Sequence, residues 1–139
     1  MATPDRPEDH NARGLKLASE GKYEEAIEHL ERALRASPGR PDLVGALGHV
    51  HAICKRKSEA RKALKELFRL QEQRFVSAFD FAMVYAGLGE TEQAFEWLEK
   101  ACVQRSFSML LSLKAEPRLD PLRADVRFQD LLGQVGLPL

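Results

Sequence analysis

Small residues recur along this chain at a fixed interval of 34, and few folds accommodate such a pattern. Gly14, Gly48 and Ala82 make one column, and Ala26, Ala60 and Ala94 a second. Leu30, Leu64 and Leu98 keep the same interval, as do Leu34, Phe68 and Cys102; Ala33, Leu67 and Ala101 follow with one larger member. A period of this length marks one supersecondary unit copied along the chain, each copy too small to bury its apolar face alone. A Gly or Ala at a set place in every copy means that two backbones approach closely there. The chain is therefore read as a row of like units.

Each unit reads as two helices. In the first, Gly14, Leu15 and Leu17 precede Gly21, and Tyr23, Ala26, Ile27, Leu30, Ala33 and Leu34 then recur at helical spacing. Gly21 suits the left-handed position that ends a helix. Pro38-Gly39 closes the second helix, and Pro41 suits the first turn of the next, where its missing N–H costs nothing. The second unit carries the stripes Leu43, Val44, Leu47, Val50, Ile53 and Ala60, Ala63, Leu64, Leu67, Phe68. In the third, Phe75 to Tyr85 is followed by the break Gly87-Leu88-Gly89, with Thr91 as a candidate cap before Ala94, Phe95, Leu98 and Ala101.

The period fails after residue 108: Glu116 stands where the small Gly would be, and Phe128 where the Ala would be. Residues 109–139 are read instead as a helical cap of the kind that an open-ended stack needs. In this tail Met109, Leu110, Leu111 and Leu113 are apolar, and Pro117 and Pro121 bracket a turn. Asp125 is placed to cap a last helix carrying Val126, Phe128, Leu131, Leu132 and Val135, ended by Gly136.

These motifs resemble the tetratricopeptide repeat. Its pattern places the small residue at Gly14, Gly48 and Ala82, and Ala with Leu at Ala26/Leu30, Ala60/Leu64 and Ala94/Leu98. The resemblance implies an all-α, right-handed solenoid of three helix-turn-helix units, 7–40, 41–74 and 75–108, plus the C-terminal helical cap, in a single domain over 1–139. Unit two departs from the pattern, with Lys55 where a turn Gly is usual, Lys57 where Tyr is usual and Glu72 where Pro is usual. The stretch from Phe81 to Gly89, together with 117–128, also resembles the ending of bacterial repeat proteins. In those the repeats often follow a kinase, cyclase or transcription-factor domain, so the resemblance implies, as an alternative, a C-terminal regulatory fragment of such a larger protein.

The resemblance places the ligand of such a stack against the first helix of each unit, on the concave side. By register those helices present Glu8, Asn11, Leu15 and Ala18; then Asp42, Gly45, Ala46, His49 and Ile53; then Val76, Phe79, Asp80, Met83, Ala86 and Gly87. The candidate peptide-binding residues are Asn11, Leu15, Gly45, His49, Phe79, Asp80 and Met83, an apolar groove with a few polar handles. A protein or peptide ligand is expected there. The rival expectation is that the tail, or a second copy of the chain in a homo-oligomer, covers this surface. Family members that clamp the acidic C-terminus of heat-shock chaperones need, in order, Lys, Asn, Asn, Lys and Arg at positions that here are Asn11, Leu15, Ala46, Val76 and Asp80. None matches, and Asp80 would repel a carboxylate, so that partner is disfavoured.

Composition narrows the remaining classes. The 139 residues hold 21 Lys plus Arg and 21 Asp plus Glu, so the net charge is zero and a globally basic nucleic-acid binder is disfavoured. Six of the 21 basic residues fall between Lys55 and Lys65, which is read as a solvated turn and outer helix face before it is read as an anionic-partner patch. No stacking aromatic lies among them. Cys54 and Cys102 fit free thiols in a reducing cytoplasm, the opening residues lack the apolar run of a signal peptide, and no apolar window is long enough to span a membrane. His49, His51 and Cys54 are close in sequence, but helical residues two apart point away from each other, so no metal site is expected. No nucleophile, base and orienter come together in the pattern and no phosphate loop is present, so neither enzyme activity nor a cofactor is expected.

Overall fold

A computed structural model describes residues 7–104, 113 and 115–134, with side chains from residue 11. Six helices form three hairpins: α1 (Pro7–Ser19) with α2 (Tyr23–Ala36), α3 (Pro41–Ile53) with α4 (Lys57–Gln71), and α5 (Ala78–Leu88) with α6 (Thr91–Gln104). A 3-10 turn over Pro117–Leu122 and a last helix, α7 (Val126–Gln134), follow. There is no strand among the described residues. The apolar stretch at 109–111 and the Val135-Gly136 helix ending lie outside them.

The columns of small residues do what their spacing implies. Ala26, Ala60 and Ala94 are fully buried, each inside its hairpin, and Leu30, Leu64 and Leu98 are buried beside them. Burying each of those leucines contributes roughly 1.5–3 kcal/mol. At Gly48 a Cβ would lie 2.7 Å from the Ala63 Cβ and 2.9 Å from a Val84 methyl, so only hydrogen fits between α3, α4 and α5. At Gly14 the Leu30 side chain occupies the corresponding space, 2.7 Å away.

The core is a relay. One cluster joins α1, α2 and α3 through Leu30, Leu43 and Val50; the next joins α3, α4 and α5 through Leu67, Phe81 and Val84. The third joins α5 and α6 to the tail through Met83, Leu98, Leu119 and Phe128. Each hairpin touches its neighbours, as in a quasi-one-dimensional stack. Ring contacts tighten the middle: Phe81 stacks on Trp97 at 4.0 Å, and Phe68 meets both rings.

Helix ends follow local chemistry. Gly21 and Gly89 end α1 and α5 with φ of 80° and 74°. Ser77 caps α5 by accepting from the Phe79 N–H at 3.2 Å, and Asp125 caps α7 by accepting from the Arg127 N–H at 2.9 Å. Thr91 does not cap α6; it is the first helical residue, and the Glu90 carbonyl takes the first helical bond, from Ala94.

Candidate functional site

The first helices α1, α3 and α5 lie side by side, and α3 meets α5 very closely. A Cβ on Gly45 would stand 3.1 Å from the Asp80 Cβ and 3.2 Å from its carbonyl; one on Gly87 would stand 2.9 Å from the His49 ring. The trough formed by these helices holds a cavity of about 790 Å³. Its floor and one side are Ala12, Leu15, Lys16, Ala18 and Ser19 of α1, His49 and Ile53 of α3, and Ala86 and Gly87 of α5. Its other wall comes from outside the repeats: Glu116, Pro117, Arg118, Asp120 and Pro121.

The tail is fixed in this place by burial, and its own ion pairs hold the turn in shape. Leu119 is fully buried and Leu122 nearly so, in the same cluster as Met83 and Ala86. Arg118 Nε donates to Glu116 Oε1 at 2.8 Å, and Arg123 donates to the Glu116 carbonyl at 2.7 Å and to Asp120 at 2.9 Å. The Glu116 carboxyl, whose burial works the other way, is held below its usual range by the bonded Arg118 guanidinium.

The seven expected site residues fall in different places. Leu15 and His49 come together at the cavity. Gly45 is buried in the α3–α5 contact. Met83 is fully buried, and Phe79 packs half-buried against the same cluster of α5, α6 and tail. Asn11 lies towards the N-terminal ends of the helices and donates from Nδ2 to Asp42 Oδ2 at 3.3 Å; its Oδ1 is sealed without a partner. Asp80 is pushed up to about 7, first by burial and then by the neighbouring Asp42 carboxylate, against the pull of Arg118. On the α5 side the tail packs against the trough through Leu119 and Leu122.

His49 is the most unusual of the seven. It is 6 % exposed, and burial, with Arg118 nearby, lowers its pKa to about 4. Its Nδ1 lies 2.8 Å from the Met83 carbonyl. His51, two residues on, is buried on another side of α3 and lowered by burial as well. No group of three or more His, Cys, Asp or Glu converges as a metal site would require, among the described residues. No described helix is long and apolar enough to cross a membrane.

Sequence reasoning missed Glu116 to Pro121. The signal was partial: Pro117 and Pro121 announced a turn, but nothing in the repeat register says where a turn beyond the repeats will land. The basic run lies outside the trough and is partly neutralised, with Arg56 paired to Glu24, Arg61 to Glu90 at 2.5 Å and Lys62 to Glu59 at 3.1 Å.

Three stacked helical hairpins at a 34-residue period, with apolar joints between successive units, define an α-helical repeat protein. Two tetratricopeptide-repeat family models match it, over residues 17–74 and 77–102. Together they cover well over half of the chain, which belongs to the tetratricopeptide-repeat family. Repeats of this family generally mediate protein–protein interaction and are typically not enzymes. No curated protein and no solved structure matches the chain.

Proposed function

We propose that the protein binds a peptide segment of a partner protein in the trough between α1, α3 and the tail. The observation that carries this reading is the cavity of about 790 Å³, within the range of a ligand site, with apolar residues from all three first helices around it. Leu15 and Ile53 are the contacts on the open side, and His49 lies at the back. Phe79, Asp80, Met83 and Gly45 support them from the sealed side, and Asn11 stands at the far edge. The receptor surface is already ordered, so little entropy is lost by this side on binding. Glu116, Arg118 and Asp120 are already engaged in ion pairs and Lys16 is the one lining cation with no described ion pair, which favours a largely apolar segment over a strongly acidic one.

The test is a peptide-display selection on the whole chain, repeated with Ile53→Glu. Selected peptides should bind the unaltered protein and lose at least about tenfold in affinity with the variant, as expected when a charge enters an apolar pocket. Helical content measured alongside identifies a variant that has merely unfolded. Peptides indifferent to Ile53→Glu in a folded variant overturn the reading. Light scattering over a range of concentrations tests the rival: an oligomer dissolved by Ile53→Glu would mean that a second copy fills the trough.

A further inference from the structure

The polar groups around the cavity are not equivalent. Glu116 and Arg118 bond each other at 2.8 and 3.3 Å, and Asp120 is bonded to Arg123 at 2.9 Å. His49 differs from all of these. A carbonyl only accepts, so the 2.8 Å contact with Met83 places a proton on Nδ1. The ring is neutral near pH 7, because burial holds its pKa near 4. The second nitrogen, Nε2, therefore carries a lone pair. No donor among the described residues engages it, and it is not one of the unpartnered atoms sealed from solvent, as His51 Nδ1 is. The result is an acceptor on a side chain that is more than nine-tenths buried, held in one orientation by the Met83 carbonyl, and that lines a largely apolar cavity.

We propose that this cavity recognises a tryptophan side chain of the partner segment, with the indole N–H donated to His49 Nε2 and the ring laid against Leu15, Ile53, Ala86 and Pro117. The inference rests on the trough being the peptide site. The chemistry selects the indole. It is a donor with no acceptor to leave unsatisfied, and it brings a large apolar area. A carboxylate would find Lys16 on the α1 side of the cavity, but at His49 it would set its lone pairs against the Nε2 lone pair. An ammonium would have to be desolvated with no unpaired carboxylate to receive it, since Glu116 and Asp120 already hold arginines. A phenyl ring would fill the space and leave Nε2 without a partner, and an unpaired buried acceptor is costly.

The experiment is a titration of the whole chain, followed by amide resonances, with N-acetyl-tryptophan amide, its 1-methylindole counterpart and N-acetyl-phenylalanine amide. The expected result is saturating shifts at Leu15, Ile53, Ala86 and Arg118. The tryptophan probe should bind about fivefold or more tighter than the methylated one, the size of one lost hydrogen bond. His49→Phe should remove that difference, and the paired probes on the unaltered protein give the answer even if that variant does not fold. Equal affinities for the two indoles, or shifts confined to other surfaces, overturn the proposal. If displayed peptides depend on Ile53 but show no tryptophan preference, this inference fails and the peptide-binding reading stands. If the indole preference appears and no displayed peptide binds, the pocket stands and that reading fails.

Discussion

Leu15, His49 and Met83 occupy one column of the repeat, 34 residues apart, yet they live in three environments. Leu15 is half-buried on an open cavity, His49 is 6 % exposed at its back, and Met83 is fully buried. The next column shows the same drift, from Asn11 at the edge, through Gly45 against α5, to Phe79 packed half-buried on the cluster that α5, α6 and the tail share. The helices are equivalent; what differs is what lies on top of them. Among the described residues the tail adds Leu119 and Leu122 to the core over the third unit and contributes none to the core of the first. Repeat register therefore predicts which direction a side chain faces, and the capping segment decides whether that direction is solvent, ligand or core.

The sharpest way to break this comparison is to truncate two members of the column. Met83→Ala should cost about 2–5 kcal/mol, as for other buried large-to-small changes. Leu15→Ala, half-exposed on the cavity, should cost roughly 1 kcal/mol or less, in line with its smaller loss of buried area. Urea denaturation of both variants measures the gap. Equal costs would mean that the tail does not seal the third unit in solution.

A smaller effect separates the two ends of the trough by pH. Asp80 has a folded pKa raised from 3.8 to about 7, so the folded state holds its proton longer than the unfolded chain does. Its contribution to stability is present below pH 4 and is lost as pH rises towards 7. His49 is the reverse, lowered from 6.5 to about 4; its contribution is present above pH 6.5 and lost as pH falls towards 4. Between these limits the two slopes oppose each other. Relative to the unaltered protein, Asp80→Asn should gain on the order of 2 kcal/mol as pH rises from 4 to 7. His49→Gln should lose a similar amount over pH 4–6.5. Melting temperatures across that range read both, and parallel profiles for all three proteins would show that neither group is as buried as it stands here.

Much of the fold was legible because the repeat writes itself three times. Gly14, Ala26 and Leu30 announce a hairpin, and Gly48, Ala60 and Leu64 repeat the announcement. Pro41 and Asp125 mark helix starts through local chemistry that needs no tertiary context. The site was legible only in part. The wider set of concave residues includes Leu15, Ala18, His49, Ile53, Ala86 and Gly87, which do meet at one cavity. Gly45 and Met83 share that register, but a missing side chain can serve a close helix contact as readily as a ligand, and an exposed-facing Met becomes core once a leucine lands on it. The wall from Glu116 to Pro121 was out of reach, because its position depends on packing against α5 rather than on any period.

The smallest effect concerns the turns inside the hairpins, where the comparison is between residues 21, 55 and 89. All three take positive φ: 80° at Gly21, 67° at Lys55 and 74° at Gly89. All three close the preceding helix with the same pair of bonds. At Lys55 these run from its N–H to the Ala52 carbonyl at 3.1 Å and from the Arg56 N–H to the His51 carbonyl at 2.7 Å. At Gly21 and Gly89 the equivalents measure 3.0 and 2.9 Å, and 3.1 and 3.0 Å. The backbone demand is thus identical, and only Lys55 meets it with a Cβ, in a region that L-residues enter at a cost. The Lys55 side chain is exposed and makes no described contact that would compensate. Lys55→Gly should therefore stabilise the chain by about 0.5–1 kcal/mol, the relief of strain outweighing the added freedom of the unfolded chain. Thermal melting should show a rise of roughly 2–5 °C for a chain of this size. Gly21→Lys, the mirror experiment, should move the melting point the other way. If Lys55→Gly instead lowers it, the second hairpin's turn does not share the conformation of the other two.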